Sequence, residues 1–190
     1  MQEIALHILD ILQNAIAAGA KLIRLVIRVD TRRDELEIVV EDDGCGMDQE
    51  TARRVMSPFA TSRTTRKVGL GIPLFAQSCR ASGGDLVIAS EKGAGTTLTA
   101  GYKLSHIDRP PMGDLAATVA AAVLSDPDID YIYEHKANDE QACLLDTRRM
   151  RRVLGGEISL SETNIIDWIR RSVYEELNAL NERNGTDEIS

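Results

Sequence analysis

Residues 3 to 18 have the spacing of an α-helix, and their seven Ile or Leu residues and four alanines surround nearly its whole circumference. A helix that is apolar on almost every side has to be buried by other elements. Two apolar stretches follow at 22 to 29 and 35 to 42, joined by a polar turn. We expect them to form an antiparallel pair of strands in the same core as the helix.

Further elements continue this pattern. We predict helices at 49 to 55 and 70 to 81, and a β-hairpin from strands at 85 to 90 and 96 to 104. Strands that come in hairpins, with helices between them, indicate an α+β protein rather than regular βαβ units. The expected fold class is therefore a two-layer α/β sandwich, in which helices cover one sheet.

The stretch "SHIDRPPMG", residues 105 to 113, has the prolines and the glycine of a domain junction. We predict that it links an amino-terminal domain, residues 1 to 104, to a small α/β unit, residues 114 to 190. In that unit we expect a helix at 114 to 124, the strands "DYIYEH" and "QACLLDT", and an amphipathic helix at 163 to 182. No motif indicates the role of this unit.

Composition excludes several classes of protein. No run of 18 apolar residues is present, and the first residues lack a basic segment, so we expect neither a membrane span nor a signal peptide. The three cysteines lie far apart, which argues against a disulfide framework or a zinc site. The sequence thus predicts a cytoplasmic protein with reduced thiols and no membrane partner.

Charge is distributed unevenly along the chain, whose formal net charge is -8. Residues 1 to 104 contain 13 acids and 13 bases, whereas residues 105 to 190 contain 17 acids and 9 bases. The acidic excess argues against a nucleic-acid partner, and we expect the acidic segment to contact a protein. Residues 51 to 84 contain six bases and no acid. This stretch indicates either an anion site or a basic face that acids elsewhere balance.

The first helix carries one polar stripe, made of Glu3, His7, Asp10 and Asn14. Asp10 and Asn14 are four residues apart, so their side chains project next to each other. A carboxylate and an amide oxygen in this arrangement can bind a magnesium ion, or the carboxylate can orient a water molecule. The stripe is equally compatible with a thin solvent-exposed edge of the helix.

The stretch "VEDDGCGM", residues 40 to 47, ends an apolar strand on acids and continues into two glycines. Asp42 stands at the end of the strand, where clefts in α/β sheets open, and a carboxylate there can accept a hydrogen bond from the adenine amine. Gly44 and Gly46 let the backbone approach a flat base. A tight acidic turn is the alternative, and a calcium loop is a weaker one because its first position would be Val39.

The stretch "RKVGLGIPLF", residues 66 to 75, places Gly69 and Gly71 at the start of a helix. Unpaired backbone N–H groups at a helix start bind phosphate, and bases precede this one. Close packing at the helix start is the alternative. At the tip of the hairpin, "EKGAGTT" ends on Thr97 and by itself indicates only a turn.

In their order along the chain, "DILQNA", "DDGCGM", "TSRTTRKVGLGI" and "GAGTT" resemble the motifs of the ATP-binding domain that gyrase, the heat-shock chaperone, histidine kinases and MutL share. The resemblance covers about residues 1 to 104. It implies a mixed sheet backed by helices, the cofactors ATP and Mg²⁺, and a lid that closes over the nucleotide. The nucleotide-binding residues that it implies are Asn14, Asp42, Gly44, Gly46, Ser62, Arg63, Lys67, Gly69, Leu70, Gly71 and Thr97.

By this resemblance, Asn14 coordinates magnesium, Asp42 holds the adenine amine, and Thr97 supports Asp42. Residues 62 to 67 form the lid, and the glycines at 69 and 71 cradle the phosphates. Hydrolytic members have glutamate at the position of Asp10. The aspartate side chain is one methylene shorter than glutamate and can misplace the water that it orients, so slow hydrolysis is expected from a catalytic Asp10.

Three functions remain open at this stage. The chain can be a slow ATPase that regulates a protein partner, a protein kinase of the histidine-kinase or anti-sigma serine-kinase type, or a non-catalytic ATP sensor. A homodimer through the helix that carries Trp168 is also open.

Overall fold

The computed structural model describes residues 3 to 56, 70 to 155 and 159 to 185. Its helices are α1 (Ile4–Ala17), α2 (Gln49–Val55), α3 (Gly71–Ala81), α4 (Leu115–Ser125), α5 (Thr147–Leu154) and α6 (Thr163–Asn184). Its strands are β1 (Leu22–Asp30), β2 (Glu35–Asp42), β3 (Leu86–Glu91), β4 (Gly95–Lys103), β5 (Asp130–Ala137) and β6 (Glu140–Asp146).

The strands form one sheet in the order β3-β4-β2-β1-β5-β6. All neighbours are antiparallel except β1 and β5, which run parallel, so the sheet is mixed. The β1–β2 pair and the β3–β4 hairpin confirm the two pairings predicted from the sequence. Helices pack on this sheet, and the predicted α+β sandwich is confirmed.

The two faces of the sheet differ because side chains alternate along each strand. Toward the helices, β1 and β2 present a buried aliphatic surface that includes Ile27 and Ile38. On the opposite face, the guanidinium of Arg24 lies between two carboxylates, at 3.3 Å from Glu41 and 2.6 Å from Glu134. One face of the sheet is thus the core, and the other is largely polar.

The burial of α1 agrees with its apolar composition. Ile4 and Ile8 are fully buried, and α1 packs against α3 and α4. The first amides of α1 are also satisfied from far along the chain, since the Ile4 N–H donates to the Pro111 carbonyl at 3.0 Å and the Ala5 N–H to the Met112 carbonyl at 2.8 Å. The segment before α4 therefore holds the start of α1 in place.

The carboxyl-terminal elements complete the same sheet. β5 pairs with β1 from Leu22 to Val29, and α4 packs on both α1 and α6. Strands from residues 1 to 104 and from residues 114 to 190 share one sheet and one core. The division of the chain into two folding units at this point stays a prediction. No helix within the described residues is long and apolar enough to cross a membrane.

A prediction about acid stability arises from His135, on the core side of β5. The side chain is 3% exposed, and burial lowers its pKa from 6.5 to about 4. The folded protein binds this proton less readily than the unfolded chain does. The free energy of unfolding is therefore highest above pH 6.5 and decreases as the pH falls toward 4. The free energy of unfolding should fall by roughly 3 kcal/mol over this window through this group.

The test compares urea unfolding of the wild type and His135→Asn at pH 7.0, 6.0, 5.0 and 4.5. The variant keeps an acceptor for the Tyr133 hydroxyl, which bonds His135 Nδ1 at 3.1 Å, but it cannot titrate. Its stability should depend less on pH than that of the wild type. Equal slopes for the two proteins would contradict the prediction.

Candidate functional site

Asp42 is the last residue of β2 and faces the helices. It pairs with Thr96 of β4, and its Oδ1 accepts a hydrogen bond from the Gly44 N–H at 2.8 Å. Burial raises the pKa of the Asp42 carboxyl and so does the charge of Asp43, whereas the N–H groups of Gly44 and Thr96 oppose the rise. The carboxylate is thus half-buried at the end of a strand, where a ligand can meet it.

The neighbouring acids have different roles. Glu41 is on the polar face with Arg24. Asp43 accepts hydrogen bonds from the N–H groups of Lys21 at 2.6 Å and Leu22 at 2.9 Å, which ties the end of β2 to the start of β1. The three acids do not converge, and no cluster of three candidate metal ligands occurs within the described residues. The calcium-loop alternative is therefore wrong.

The two glycines after Asp42 are required by close contacts. A Cβ on Gly44 would lie 2.9 Å from both the Ala18 Cβ and Asp42 Oδ1. Gly46 has φ +59°, and a Cβ there would overlap the Glu91 carbonyl oxygen. The loop is also bound to its surroundings through Cys45, whose N–H donates to the Ala18 carbonyl at 3.0 Å. It thus packs between the end of α1 and the β3–β4 hairpin.

The start of α3 meets the middle of α1. A Cβ on Gly71 would lie 3.0 Å from Asp10 Oδ2, so the absence of a side chain lets the first turn of α3 approach this carboxylate. Within the described residues, α3 has no side-chain cap, and Leu70, at its N-cap position, is 56% exposed. On α1, Asp10 is partly buried and Asn14, one turn later, is exposed. The polar stripe therefore borders the α3 start and is more than a solvent-exposed edge.

His7 belongs to the same stripe but is packed inside. Its ring stacks on Phe75 of α3, with centroids 5.0 Å apart. Burial lowers the pKa of His7, and the nearby Asp10 charge only partly opposes this effect. A neutral, stacked imidazole here holds α1 against α3, and with them the position of Asp10 relative to Gly71.

The two threonines of the hairpin lie on opposite faces of the sheet. Thr97 pairs with Glu41 and thus lies on the polar face, whereas Thr96 pairs with Asp42. The structure does not bring Thr97 next to Asp42 as the resemblance implied; Thr96 is the residue there. Thr96 Oγ1 lies 2.9 Å from the Ser90 hydroxyl, which in turn accepts a hydrogen bond from the Met47 N–H at 2.8 Å. Successive side chains of a strand alternate between the two faces of the sheet, so only one of the two threonines can share the face of Asp42. This alternation is the signal that identifies Thr96.

Four predicted site residues, Ser62, Arg63, Lys67 and Gly69, lie outside the described residues, as does the predicted lid. Of the others, Asn14 is on α1 itself and Thr97 is on the polar face of the sheet, and the remaining ones form two groups around α1. Asp42, Gly44 and Gly46 are at its carboxyl end, and Leu70 and Gly71 are beside Asp10.

The protein oxygens available near α1 fit one kind of metal ion. Asp10 and Asn14 offer one carboxylate and one amide oxygen, and the described residues contain no cage of three or more ligands. Mg²⁺ in nucleotide sites takes one or two protein oxygens and fills its shell with phosphate oxygens and water. The donor set fits a nucleotide-bound magnesium ion and does not fit a metal held by protein alone.

Comparisons with solved structures support this fold. The "Crystal Structure of N terminal domain of a DNA repair protein" superposes with a TM-score of 0.52 at 12% identity, over 77% of this chain and 53% of that one. At this identity the likeness concerns the fold alone.

Sequence relatives include the "Virulence sensor protein BvgS" of Bordetella bronchiseptica, 25% identical over 63% of this chain and 10% of that protein. The "Sensor protein kinase FleS" of Pseudomonas aeruginosa is 38% identical over 48% of this chain and 23% of that protein. The matches thus span less than a quarter of the length of either relative.

The family model described as "Histidine kinase-, DNA gyrase B-, and HSP90-like ATPase" matches residues 2 to 106, which is more than half of the 190 residues. The matched region contains the Asp42 loop, the polar stripe of α1 and the start of α3. This chain belongs to the histidine kinase-, DNA gyrase B- and HSP90-like ATPase family.

Proposed function

We propose that the chain binds Mg-ATP between α1, the loop after β2 and the start of α3. One observation carries this proposal: three groups suited to three parts of a nucleotide surround the same helix. The carboxylate of Asp42 suits the base, the uncapped start of α3 suits the phosphates, and the oxygens of Asp10 and Asn14 suit a metal ion. The Gly44 N–H orients Asp42, and the first turn of α3 packs closely on Asp10.

Recognition of the base depends on Asp42. Its Oδ1 is bonded to the Gly44 N–H, which fixes the orientation of the carboxylate. The adenine amine can donate to it, whereas guanine presents a carbonyl at the equivalent position and would be repelled. The site therefore favours ATP over GTP. Gly44 and Gly46 keep the backbone close to the base without a side chain between them.

The phosphates lie at the start of α3 in this proposal. The N–H groups of its first turn and the positive end of the helix dipole attract the triphosphate. Asn14 would hold a magnesium ion, which would supply charge neutralisation. The predicted phosphate contacts of Ser62, Arg63, Lys67 and Gly69 add to it. Thr96 replaces Thr97 as the residue beside Asp42.

We infer that hydrolysis is slow and that Asp10 orients the attacking water. The carboxylate lies at the start of α3, close to the proposed phosphates, but its reach is shorter than that of glutamate. The relatives named as sensor proteins favour a second function, transfer of the γ-phosphate to a protein. In both cases the acidic carboxyl-terminal region would contact a protein partner. Exposed Trp168 and Tyr174 on α6 offer a surface for that partner or for a second copy.

Asp10→Asn is expected to reduce phosphate release from Mg-ATP by about 100-fold or more, because an amide cannot accept the proton of the attacking water. The affinity for ATP should change much less. The measurement is single-turnover release of labelled phosphate, combined with calorimetric titration of the nucleotide. Glu3→Gln is the matched control, since Glu3 is an exposed carboxylate at the start of the same helix.

The same reaction mixture, supplemented with cell extract, distinguishes the candidate functions. Free phosphate indicates an ATPase, and label on an extract protein indicates a kinase. Tight binding of ATP with neither product indicates a sensor. If the wild type fails to bind ATP, the proposal is wrong.

A further inference from the structure

A second cavity lies away from the nucleotide site, between α6, the start of α4 and the sheet. Its volume is about 270 Å³. Most of its lining surface is apolar, with Val29, Leu115 and Leu177 among the contributing residues, and the polar side chains include Asp114, His135, Asn178 and Asn181. None of its lining residues belongs to the predicted nucleotide site.

His135, one of the residues that line this cavity, has a ring nitrogen without a hydrogen-bond partner within the described residues. Its Nδ1 lies 3.1 Å from the Tyr133 hydroxyl, and its Nε2 is buried with no hydrogen-bond partner within the described residues. The Tyr133 side chain is 1% exposed and has this one described partner, so its O–H donates to Nδ1. The proton of the neutral ring is then on Nε2. A buried N–H that lacks an acceptor destabilises the protein unless a ligand or water supplies one.

Asp114 is the charged residue among those that line the cavity. The Asp114 carboxylate caps α4 by accepting from the Ala117 N–H at 2.7 Å, and it pairs with Arg170 of α6 at 3.0 Å. The half-exposed Tyr174 ring lies beside it. A carboxylate already paired with a guanidinium neither attracts a cation strongly nor leaves a free base for an anion. The entrance suits an uncharged molecule.

We propose that this cavity is a second ligand site, which takes a small uncharged organic molecule with an apolar, ring-sized body and one carbonyl-type acceptor. The apolar body fills the space against Val29, Leu115 and Leu177. The acceptor receives the hydrogen bond of His135 Nε2, and the Asn178 amide offers a second polar contact. The volume accommodates a molecule of a single ring, and such sites combine apolar walls with few polar groups.

Benzamide and toluene are the probes, because they share the ring and differ in the carbonyl and amide. The full chain, labelled with ¹⁵N at histidine, is titrated with each. Benzamide should shift the His135 Nε2 resonance with saturation at roughly millimolar concentration, as expected of a nine-atom ligand. His7 and His106 are internal controls and should not move. The proposal is overturned if the shift does not saturate or if all three histidines shift together. It is also overturned if toluene binds with the same affinity as benzamide.

Two variants supply an independent readout through the relaxation of the benzamide protons. His135→Asn keeps an acceptor for the Tyr133 hydroxyl and removes the Nε2–H. Leu177→Trp fills the cavity from partly exposed α6, so the fold tolerates it better than a change in the sheet. Both should weaken benzamide binding at least fivefold with a cooperative melting transition retained. Wild-type affinity in the folded Leu177→Trp protein contradicts the proposal, and a variant that does not melt cooperatively is replaced by Asn178→Leu, with the same expectation.

Discussion

Asp42→Asn is expected to lower the affinity for ATP by about 10- to 100-fold, because a hydrogen bond to a charged acceptor contributes about 1.5–3 kcal/mol. The amide also presents an N–H₂ group that repels the adenine amine in one of its two orientations. Discrimination against GTP should decrease, since the amide can donate to the guanine carbonyl. Calorimetric titration with ATP and GTP measures both effects.

Glu41→Gln is the matched control for this prediction. Glu41 precedes Asp42 in the same strand, but its carboxylate is on the polar face, 3.3 Å from Arg24. An exposed ion pair contributes at most about 1 kcal/mol, so the control should fold and bind ATP as the wild type does. Equal loss of ATP affinity in both variants would show that general electrostatics, and not the position of Asp42, determines binding.

Gly46→Ala is expected to lower the free energy of unfolding by about 3 kcal/mol or more, and the melting temperature by roughly 10 °C. The residue has φ +59°, which costs a residue with a side chain about 1–2 kcal/mol. In addition, the new Cβ would overlap the Glu91 carbonyl oxygen, and this oxygen belongs to the backbone and cannot rotate away. The loop would have to separate from the hairpin.

Gly93→Ala tests the explanation. Gly93 also has positive φ, +86°, but a Cβ there would have no atom within 4 Å. This variant should lose only about 1 kcal/mol, the conformational part of the cost. Thermal melting of both variants compares the effects directly. If the two lose equal stability, close packing of the loop is not what requires Gly46.

The elements nearest the site could be predicted because their patterns are local. The strand that ends on Asp42 is an apolar run that is bounded by acids, and α2 and α3 begin within one residue of the predicted starts. The error at Thr97 came from a shift of a single residue, which in a strand exchanges one face for the other. A pairing partner fixes that register, and no partner is visible in the hairpin sequence itself.

Other features depend on contacts between distant parts of the chain. The sequence does not predict α5, because "TRRMRRVL" has little apolar periodicity, although Asp146 caps its start and Gly155 ends it in the left-handed conformation. The role of Asp43 follows from its hydrogen bonds to Lys21 and Leu22, which no local pattern reveals. The parallel pairing of β5 with β1 likewise joins segments far apart in sequence.

The first amides of α1 donate to the carbonyls of Pro111 and Met112, and β1 lacks one neighbour until β5 pairs with it. During synthesis on the ribosome, the amino-terminal helix therefore emerges long before the segments that secure it. The helix that carries Asp10 and Asn14 acquires its final position only after β5 has left the exit tunnel. We therefore expect competence to bind nucleotide only after the segment that contains Pro111, Met112 and β5 has been made.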